Sequence, residues 1–388
     1  MAKLGEVCLI NPKSCTLRDD TEVSFIPMTK VGEHGEFDAS EIKNYSEVKK
    51  GFTNFQNGDI LFAKITPCME NGKGAIAHNM KNGIGFGSTE FHVLRPDTDK
   101  ITSEWLYYLT TWETFRKEAE RNMTGSAGQK RVPKTFLENY VVNLPDIDTQ
   151  KSENKILRKV DDLIFLRKQQ FAKLDELVKV RFVEMFGDFE FNPKEFPVYH
   201  LCELCDVGSS KRIYQEEQSI SGIPFLKVAD LNELIDTGKY SCSTFIPLER
   251  YEQLLHKELT PTENDILITS RGTLGKCYIV QSDDEFYFQD GMISWLSNFS
   301  PKVSSIYISY LFAQPYIQKQ IESLQAGSTV AYLSIAMLKK INVILPPKKL
   351  QDDFATFVEH VDQQKQTVQQ SLEKLELMKK ALMQEYFG

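Results

Sequence analysis

The chain has 388 residues, and 54 acidic side chains against 46 Lys and Arg give it a formal net charge of −8. Its hydrophobic fraction of 41% and charged fraction of 26% are those of a folded soluble protein and exclude wholesale disorder. No apolar run approaches the roughly 18 residues of a membrane helix, and no signal-peptide core is visible near the N-terminus. Together with seven dispersed cysteines, this predicts reduced thiols in the cytoplasm. The acidic balance argues against a protein that coats nucleic acid, which would usually be basic.

The order of predicted elements repeats once along the chain. In the first half, strands are predicted at residues 57–62 and 72–76, where Gly and Asp bound two apolar runs separated by a polar loop. A helix follows over residues 105–122 and stops before Gly125, and a short strand ends at Pro145. The second half has the same order at an offset near 200 residues. Its elements are predicted at residues 264–268, 275–279, 307–324 and 337–346.

The repeat predicts an α+β fold with two similar globular domains of mixed strands and helices, arranged as a tandem repeat with pseudo-two-fold symmetry. Each domain is followed by a long helix that ends in Phe-Gly. The predicted boundaries are a first domain at 1–150, a first helix at 151–187, a second domain at 188–347 and a second helix at 348–388. Two prolines within residues 192–197 indicate a linker.

The two long helices are predicted to pack on each other as an antiparallel coiled coil, because apolar positions recur alternately three and four residues apart. At 1.5 Å per residue each helix would reach about 54 Å, too long for one small domain to cover. When the two rows are matched in order, Ile164 is expected opposite Lys365, and Val368 opposite Arg167. The alternative is a pair of amphipathic helices, each packed on its own domain. The predicted packing residues are Val160, Ile164, Phe171, Leu174, Val178, Met185, Val361, Val368, Leu372, Leu375 and Leu382.

No catalytic residue and no metal ligand is predicted. Cys202 and Cys205 form a CxxC without a second ligand pair at zinc spacing, so both are expected to be core thiols. The six histidines are scattered and are expected on the surface or as satisfied core residues. The glycine-rich residues 83–88 precede a strand rather than a helix, which predicts a turn or a close backbone approach instead of a nucleotide site. The acidic residues 97–99 fit a loop that caps the following helix.

Two polar loops in each domain are the best candidates for a binding function. Their Arg, Lys, Gln, Ser and Thr side chains can donate to phosphates and base edges, while the glycines allow close backbone approach. Each loop taken alone could be an ordinary solvated surface loop. Their recurrence at matching positions with different side chains favours a duplicated recognition site that binds two different targets. The candidate DNA-binding residues are Lys64, Thr66, Lys73, Ser126, Gln129, Lys130, Arg131, Lys134, Ser270, Arg271, Thr273, Lys276, Ser328, Thr329 and Tyr332.

These features together resemble the DNA-specificity subunit of type I restriction–modification systems, over essentially the whole chain. The resemblance rests on motifs that occur once in each half: the Asp-Ile-Leu strand, the Gly-Ser loop, the Leu-Pro end and the helix ending in Phe-Gly. Their residues are Asp59 and Asp265, Gly125 and Gly327, Pro145 and Pro346, and Phe186 and Phe387.

The resemblance implies a non-catalytic subunit in which each domain reads one half of a split double-stranded DNA sequence and the helical pair fixes the gap. It implies two methyltransferase subunits and restriction or translocase subunits as partners, with no membrane involved. S-adenosylmethionine, ATP and Mg²⁺ would be bound by those partners, and this chain would hold no cofactor. The rival hypothesis is a non-enzymatic scaffold that carries two protein-binding domains on a helical rod.

The charge is unevenly distributed along the predicted segments. Residues 1–150 carry −3, residues 151–187 carry +3, residues 188–347 carry −7 and residues 348–388 carry −1. Since phosphate contacts supply much of the affinity of DNA-binding proteins, an acidic reader is expected to bind DNA weakly alone and well within a complex.

Overall fold

The computed structural model describes residues 1–126, 128–325 and 331–388. They form two compact units. Unit 1 comprises Met1–Gln169 and Gln369–Gly388, and unit 2 comprises Gln170–Val368. Each unit therefore combines one globular domain with a part of each long helix, so the units do not coincide with the predicted segments. None of the helices in the described ranges could span a lipid bilayer.

Unit 1 contains two four-stranded sheets, and the strand order in each is not sequential. The first sheet has the order β2-β9-β6-β7 and is antiparallel throughout. The second has the order β4-β3-β8-β5, with β3 and β8 parallel. The strands are β1 Ala2–Lys3, β2 Cys8–Ile10, β3 Glu22–Ile26, β4 Ile42–Asn44, β5 Thr53–Gln56, β6 Ile60–Ala63, β7 Gly74–Ile76, β8 Ile84–Gly87, β9 Phe91–Pro96 and β10 Val141–Val142. The helices are α1 Leu4–Val7, α2 Tyr45–Val48, α3 Ser103–Thr111, α4 Glu113–Arg121, α5 Lys134–Asn139 and the long α6 Ile147–Phe186.

Strand β6 is apolar at every position because both of its faces are covered. Ile60 and Phe62 pack with the aromatic side chains of α3 and α4. Leu61 and Ala63 point to the other face, where they meet side chains of the second sheet. A strand covered on both faces has a continuous hydrophobic sequence, and for this reason β6 could be predicted from the sequence alone.

Unit 2 repeats this architecture. Its four-stranded sheet has the order β12-β18-β15-β16, and its second sheet has the order β14-β13-β17 with β13 and β17 parallel. The strands are β11 Val198–His200, β12 Asp206–Gly208, β13 Ile223–Leu226, β14 Phe245–Ile246, β15 Ile266–Thr269, β16 Cys277–Ile279, β17 Tyr287–Phe288, β18 Ile293–Ser297 and β19 Asn342–Ile344. The helices are α7 Val228–Thr237, α8 Leu248–Leu255, α9 Ser305–Phe312, α10 Pro315–Leu324, α11 Ile335–Leu338 and the long α12 Lys348–Phe387.

The single helix predicted in each half was wrong, because both are pairs of shorter helices. In unit 1, Trp112 has extended backbone (φ −62°, ψ 131°) between α3 and α4, and its indole packs near the Phe387 ring. In unit 2, Pro315 occupies the first turn of α10. Proline has no N–H for the helical ladder and therefore begins a new helix rather than continuing the previous one.

The glycine-rich residues 83–88 contain the interior strand β8, where close backbone approach, one of the two predicted alternatives, is found. A Cβ added to Gly87 would lie 2.1 Å from the Ile26 carbonyl oxygen, and one added to Gly85 would lie 2.4 Å from the Phe55 ring. Only glycine fits at such distances.

The long helices α6 and α12 pack together as an antiparallel coiled coil, as predicted. In unit 1, the Lys379 ammonium lies 2.6 Å from Asp161 and the Lys168 ammonium 3.7 Å from Glu376. Since rising numbers on one helix meet falling numbers on the other, the helices are antiparallel. The same direction holds in unit 2, where the Lys365 ammonium lies 2.7 Å from Asp175 and the rings of Phe182 and Phe354 are 5.2 Å apart.

All the predicted packing residues are buried or half-buried. Those with exposed fractions below a tenth are Val160, Leu174, Val178, Met185, Val361 and Val368. The half-buried ones are Ile164, Phe171, Leu372, Leu375 and Leu382. The predicted fold class is therefore confirmed, and the alternative of two independent amphipathic helices is not.

The predicted register between the two helices was wrong. Lys365 pairs with Asp175 and lies 5.2 Å from the Phe171 ring centroid, instead of facing Ile164. Both predicted appositions, including that of Val368 with Arg167, came from matching the rows in the same direction, which an antiparallel pair does not permit.

A buried glutamine ties the start of each long helix to its own domain. The Gln150 amide donates to the carbonyls of Lys100 and Pro145 at 2.9 Å, and its oxygen accepts from the Thr102 amide at 2.9 Å. Gln351 makes the same three contacts in unit 2, to Lys302, Pro346 and Ser304. Both side chains are fully buried. The first long helix accordingly begins at Ile147 rather than at 151.

Candidate nucleic-acid interface

In unit 1 the two predicted loops lie side by side at one edge of the first sheet. Residues 64–66 continue strand β6, and residues 124–126 and 128–131 form the arms of a hairpin closed by reciprocal backbone hydrogen bonds between Thr124 and Arg131 at 3.0 and 2.8 Å. The Thr66 amide donates to the Lys130 carbonyl at 3.1 Å, and the Val132 amide donates to the Lys64 carbonyl at 2.9 Å. We call residues 64–66, 124–126 and 128–131 the recognition edge of unit 1.

An ion pair fixes the base of this hairpin. The Arg131 guanidinium donates to both carboxylate oxygens of Glu90, at 2.9 and 2.8 Å, and also to the Gln129 carbonyl at 3.1 Å. The hydrogen bonds from Arg131 hold the pKa of Glu90 below its usual value, and Glu90 raises the pKa of Arg131 in return. Both groups stay charged near neutral pH, and the Arg131 cation is locally balanced.

The other predicted donors of unit 1 differ in how free they are. Lys134 pairs with Glu138 at 2.8 Å, the Lys73 ammonium donates to the Met28 carbonyl at 3.3 Å, and the Thr66 hydroxyl donates to Glu70 at 2.7 Å. Lys64 and Lys130 have no ion-pair partner in the described part of the chain. The exposed set at the hairpin tip is Ser126, Gln129 and Lys130.

A histidine beneath the recognition edge is a structural residue. His92 is buried, with Nε2 at 2.8 Å from the Val132 carbonyl oxygen and Nδ1 at 3.0 Å from the Asn11 amide nitrogen. Burial lowers the pKa of His92, so the imidazole is neutral near pH 7. The prediction of a satisfied core histidine is confirmed here.

Unit 2 builds an equivalent edge with different side chains. Arg271 continues strand β15 and forms an isolated antiparallel bridge with Tyr332, and the Leu333 amide donates to the Ser270 carbonyl at 3.0 Å. The Arg271 guanidinium carbon lies 5.5 Å from the Tyr332 ring centroid. We call residues 270–276 and 331–333 the recognition edge of unit 2.

The remaining predicted residues of unit 2 fall into three groups. Ser270 is buried and shares a 2.7 Å hydrogen bond with the Ser294 hydroxyl, so it is a core residue and not an exposed donor, which corrects the sequence-based expectation. Lys276 is paired with Asp236 at 2.7 Å, whereas Arg271 and Thr273 are exposed. The predicted residues Ser328 and Thr329 lie outside the described residues.

Two further exposed basic residues, outside the two recognition edges, were missed by sequence reasoning. Lys13 follows strand β2 and Lys211 follows strand β12 at the matching position, and both are exposed. Neither has an ion-pair partner among residues 1–126, 128–325 and 331–388. Lys13 lines a cleft of about 500 Å³ together with Arg95 and Lys134. The available signal was the match between Asn-Pro-Lys and Ser-Ser-Lys, which falls before the strands from which the repeat was recognised.

The described residues offer no metal-binding group of three or more His, Cys, Asp or Glu side chains. The expectation of two core thiols holds only for Cys205, which is buried and donates to the Leu201 carbonyl at 3.6 Å. Cys202 is exposed. The pair spans a short 3-10 turn, Leu201–Glu203, that turns Leu201 and Leu204 inward and Cys202 outward.

The fold and edges define a duplicated α+β protein in which two sheet edges are presented on domains joined by a coiled coil. The family model "Type I restriction modification DNA specificity domain" matches twice, at residues 1–176 and 193–377. The chain therefore belongs to the type I restriction–modification DNA specificity family.

Curated relatives of known name share sequence with parts of the chain. The type I restriction enzyme EcoAI specificity subunit of Escherichia coli is 48% identical over 158 residues, covering 40% of this chain and 26% of the relative. The EcoEI specificity subunit of the same species is 41% identical over 179 residues, covering 44% and 29%. The match thus spans between a quarter and a third of the length of these two relatives. The MjaVIII specificity subunit of Methanocaldococcus jannaschii is 26% identical over 300 residues, covering 71% and 67%.

Solved structures share the fold over almost the full length. One comes from work on complex assembly and conformational transition of the type I R-M system, with a TM-score of 0.61 at 16% identity, covering 99% of this chain and 96% of the other. The S subunit of the type I restriction–modification system from M. genitalium gives a TM-score of 0.57 at 15% identity, covering 100% and 95%. At such low identity these likenesses establish the fold alone.

Proposed function

We propose that this chain is the sequence-specific DNA-binding subunit of a type I restriction–modification complex. It reads a bipartite double-stranded DNA target and directs methyltransferase and restriction subunits to it, without catalysing either reaction. The observation that carries the proposal is the repetition of one recognition edge on two equivalent sheets with different side chains. Membership of the specificity family supports the same function.

The two edges are suited to reading two different half-sites. Unit 1 presents Ser126, Gln129 and Lys130 at a hairpin tip, while unit 2 presents Arg271 beside Tyr332. Amide and guanidinium groups discriminate base edges in the major groove, whereas lysines and hydroxyls chiefly contact phosphates. The same backbone arrangement with two different sets of hydrogen-bond donors would recognise two different half-sites. The coiled coil would keep the gap between the half-sites constant.

The coiled coil also offers a surface for the modification subunits. One of its flanks carries the ion pairs of Asp161 and Asp175 with Lys379 and Lys365. The opposite flank, at other heptad positions of α6, carries exposed apolar side chains. They are Ile156, Leu163 and Leu166 in unit 1, and Leu177 and Val180 in unit 2. An exposed apolar stripe beside a coiled-coil seam is suited to receiving helices of a partner. The modification subunits are proposed to dock there.

The cofactors of the complex belong to its partners in this proposal. Methylation would use S-adenosylmethionine in the modification subunits, and translocation and cleavage would use ATP and Mg²⁺ in the restriction subunits. This chain would contribute only the recognition of the target sequence. Methylation and cleavage would take place in the cytoplasm, where the partner subunits and the DNA are present.

The test is to co-express the chain with its modification subunits and map methylated adenines across the genome. A two-part motif with a fixed gap is expected. Replacing residues 1–150 with the recognition domain of a relative should change one part of the motif and leave the other part and the gap intact. A motif unaffected by the replacement would contradict the proposal.

The scaffold hypothesis makes a different prediction for a simpler experiment. Electrophoretic mobility of duplex DNA should change strongly with the assembled complex and weakly with the chain alone, since the net charge of −8 opposes phosphate binding. A complex that assembles but never shifts DNA would favour the scaffold.

A further inference from the structure

The two arginines lie at different positions of the same frame, because Arg271 takes the place of Ile65 and Tyr332 takes the place of Arg131. The position of the carboxylate that pairs with Arg131 differs as well. In unit 1 the Lys64 amide donates to the Glu90 carbonyl at 2.9 Å, and in unit 2 the Ser270 amide donates to the Met292 carbonyl at 2.9 Å. Met292 therefore occupies the position of Glu90. The carboxylate that pairs with Arg131 in unit 1 is replaced in unit 2 by a thioether, which cannot form an ion pair.

Arg271 is an exposed guanidinium without a carboxylate partner among the described residues. Residues 127 and 326–330, outside the described ranges, contain no acidic side chain either. The guanidinium lies 5.5 Å from the Tyr332 ring centroid, on the residue with which Arg271 forms its backbone bridge. Contact with an aromatic ring restricts the side chain while leaving its N–H groups open, so less freedom is lost when it forms a bidentate contact.

We infer that Arg271 is a base-reading residue of the second half-site, contacting a guanine through two parallel hydrogen bonds, and that Arg131 instead positions the hairpin of unit 1. The inference rests on the proposed function and assigns roles within it. Arginine bidentate to the O6 and N7 of guanine is the most frequent specific contact in the major groove. The Arg131 guanidinium already donates two such parallel hydrogen bonds to the Glu90 carboxylate, so they are not available for a base.

A phosphate contact by Arg271 is the competing role, and the two differ in what a substitution changes. Loss of a base contact relaxes the preference at one position of the target, whereas loss of a phosphate contact weakens binding to all sequences equally and lowers the salt dependence. The readout must therefore compare a matched target with targets altered at single guanines.

The test uses the assembled methyltransferase complex with four variants: Arg271→Ala, Met292→Glu, Met292→Gln and Arg131→Ala. The cross-strand neighbours Arg271 and Tyr332 present their side chains on one face of the edge. A glutamate at position 292 would stand beside Tyr332 as Glu90 stands beside Arg131. Because the Arg271 guanidinium lies against the Tyr332 ring, that glutamate should pair with Arg271. Arg271→Ala and Met292→Glu should each lose about 5- to 150-fold in discrimination at one guanine of the second half-site. Met292→Gln introduces a side chain of the same size as glutamate but without its charge, and this variant should retain the discrimination.

Arg131→Ala should leave the preference at every guanine unchanged and weaken binding to the first half-site as a whole. The inference is overturned if Arg271→Ala keeps the wild-type preference or weakens all sequences alike, or if Arg131→Ala relaxes a guanine of the first half-site. The proposed function fails separately, if the wild-type complex itself shows no sequence preference. Because Arg271 is exposed, unchanged thermal melting of the variants confirms that folding is unaffected.

Discussion

The two units share the parts that hold the fold together and differ where they face solvent. Gln150 and Gln351 make the same three hydrogen bonds, and Asp59 and Asp265 cap the same turn by accepting from the amide three residues earlier. At the recognition edges the residue types diverge: each edge has its arginine at a different position, and Arg131 is paired with Glu90 while Arg271 lies against Tyr332. The duplicated fold thus gives both domains the same backbone, and a few exposed side chains determine which DNA sequence each domain is proposed to recognise.

The largest expected effects come from the rings at the ends of the long helices. Phe186 is 2% exposed and packs on Tyr307 and Phe354 in unit 2, while Phe387 is 9% exposed and packs on Trp105 in unit 1. Phe186→Ala should cost about 3–5 kcal/mol of unfolding free energy, and Phe387→Ala somewhat less. Urea unfolding measures both.

The control for these ring deletions is Phe165→Ala, on the same helix as Phe186 but 60% exposed, which should change stability by less than about 0.5 kcal/mol. A cost for Phe387→Ala equal to or above that of Phe186→Ala would show that the two helix ends are not held as the burial of their rings indicates.

Gln150 and Gln351 test the part of the fold that the two units share. Replacing Gln150 or Gln351 with Met removes three hydrogen bonds and leaves three partly buried backbone groups without these partners, at about 1–3 kcal/mol in total. Since the contacts are the same, the two variants should be equally destabilised. Hydrogen exchange of α3 and α9 measures the effect in each unit, and a clear difference would mean that the units tolerate the loss differently.

The free lysines should matter more for DNA binding than the paired one. Lys130→Ala and Lys13→Ala in the complex should each weaken binding to any DNA sequence several-fold and reduce the slope of log affinity against log salt by about one. Lys134→Ala is the matched control, because Lys134 is already paired with Glu138. Salt titrations by fluorescence anisotropy measure all three, and an effect of Lys134→Ala as large as that of Lys130→Ala would sink the distinction.

The smallest predicted effect concerns acid stability and separates the units. Burial lowers the pKa of His92, while the equivalent position in unit 2 is Ser294, which does not titrate. The unfolded chain therefore binds the proton more tightly, and the stabilisation present above about pH 6.5 is lost as the pH falls from there toward the folded pKa. The loss of thermal midpoint between pH 7.5 and 5.5 should be smaller in His92→Asn than in the wild type. An equal loss would show that His92 contributes nothing to acid sensitivity.

The sequence predicted the architecture better than the site. Continuous apolar strands such as β6 and the heptad rows of α6 and α12 have periods that single sequences reveal, and the duplication checks each half against the other. The helix break at Trp112 escaped because its residue type gives no breaking signal, unlike Pro315. The buried state of Ser270 and the pairing of Arg131 with Glu90 depend on cross-strand register. That register could be worked out only after the strands were aligned in space.

The central claim is that each recognition domain reads one half of a split target. The most direct measurement is the genome-wide methylation motif of the complex when residues 1–150 are replaced by the corresponding domain of a relative. The account predicts a hybrid motif in which one part is new while the other part and the gap are those of the parent. A motif changed in both parts, or in neither, would contradict it.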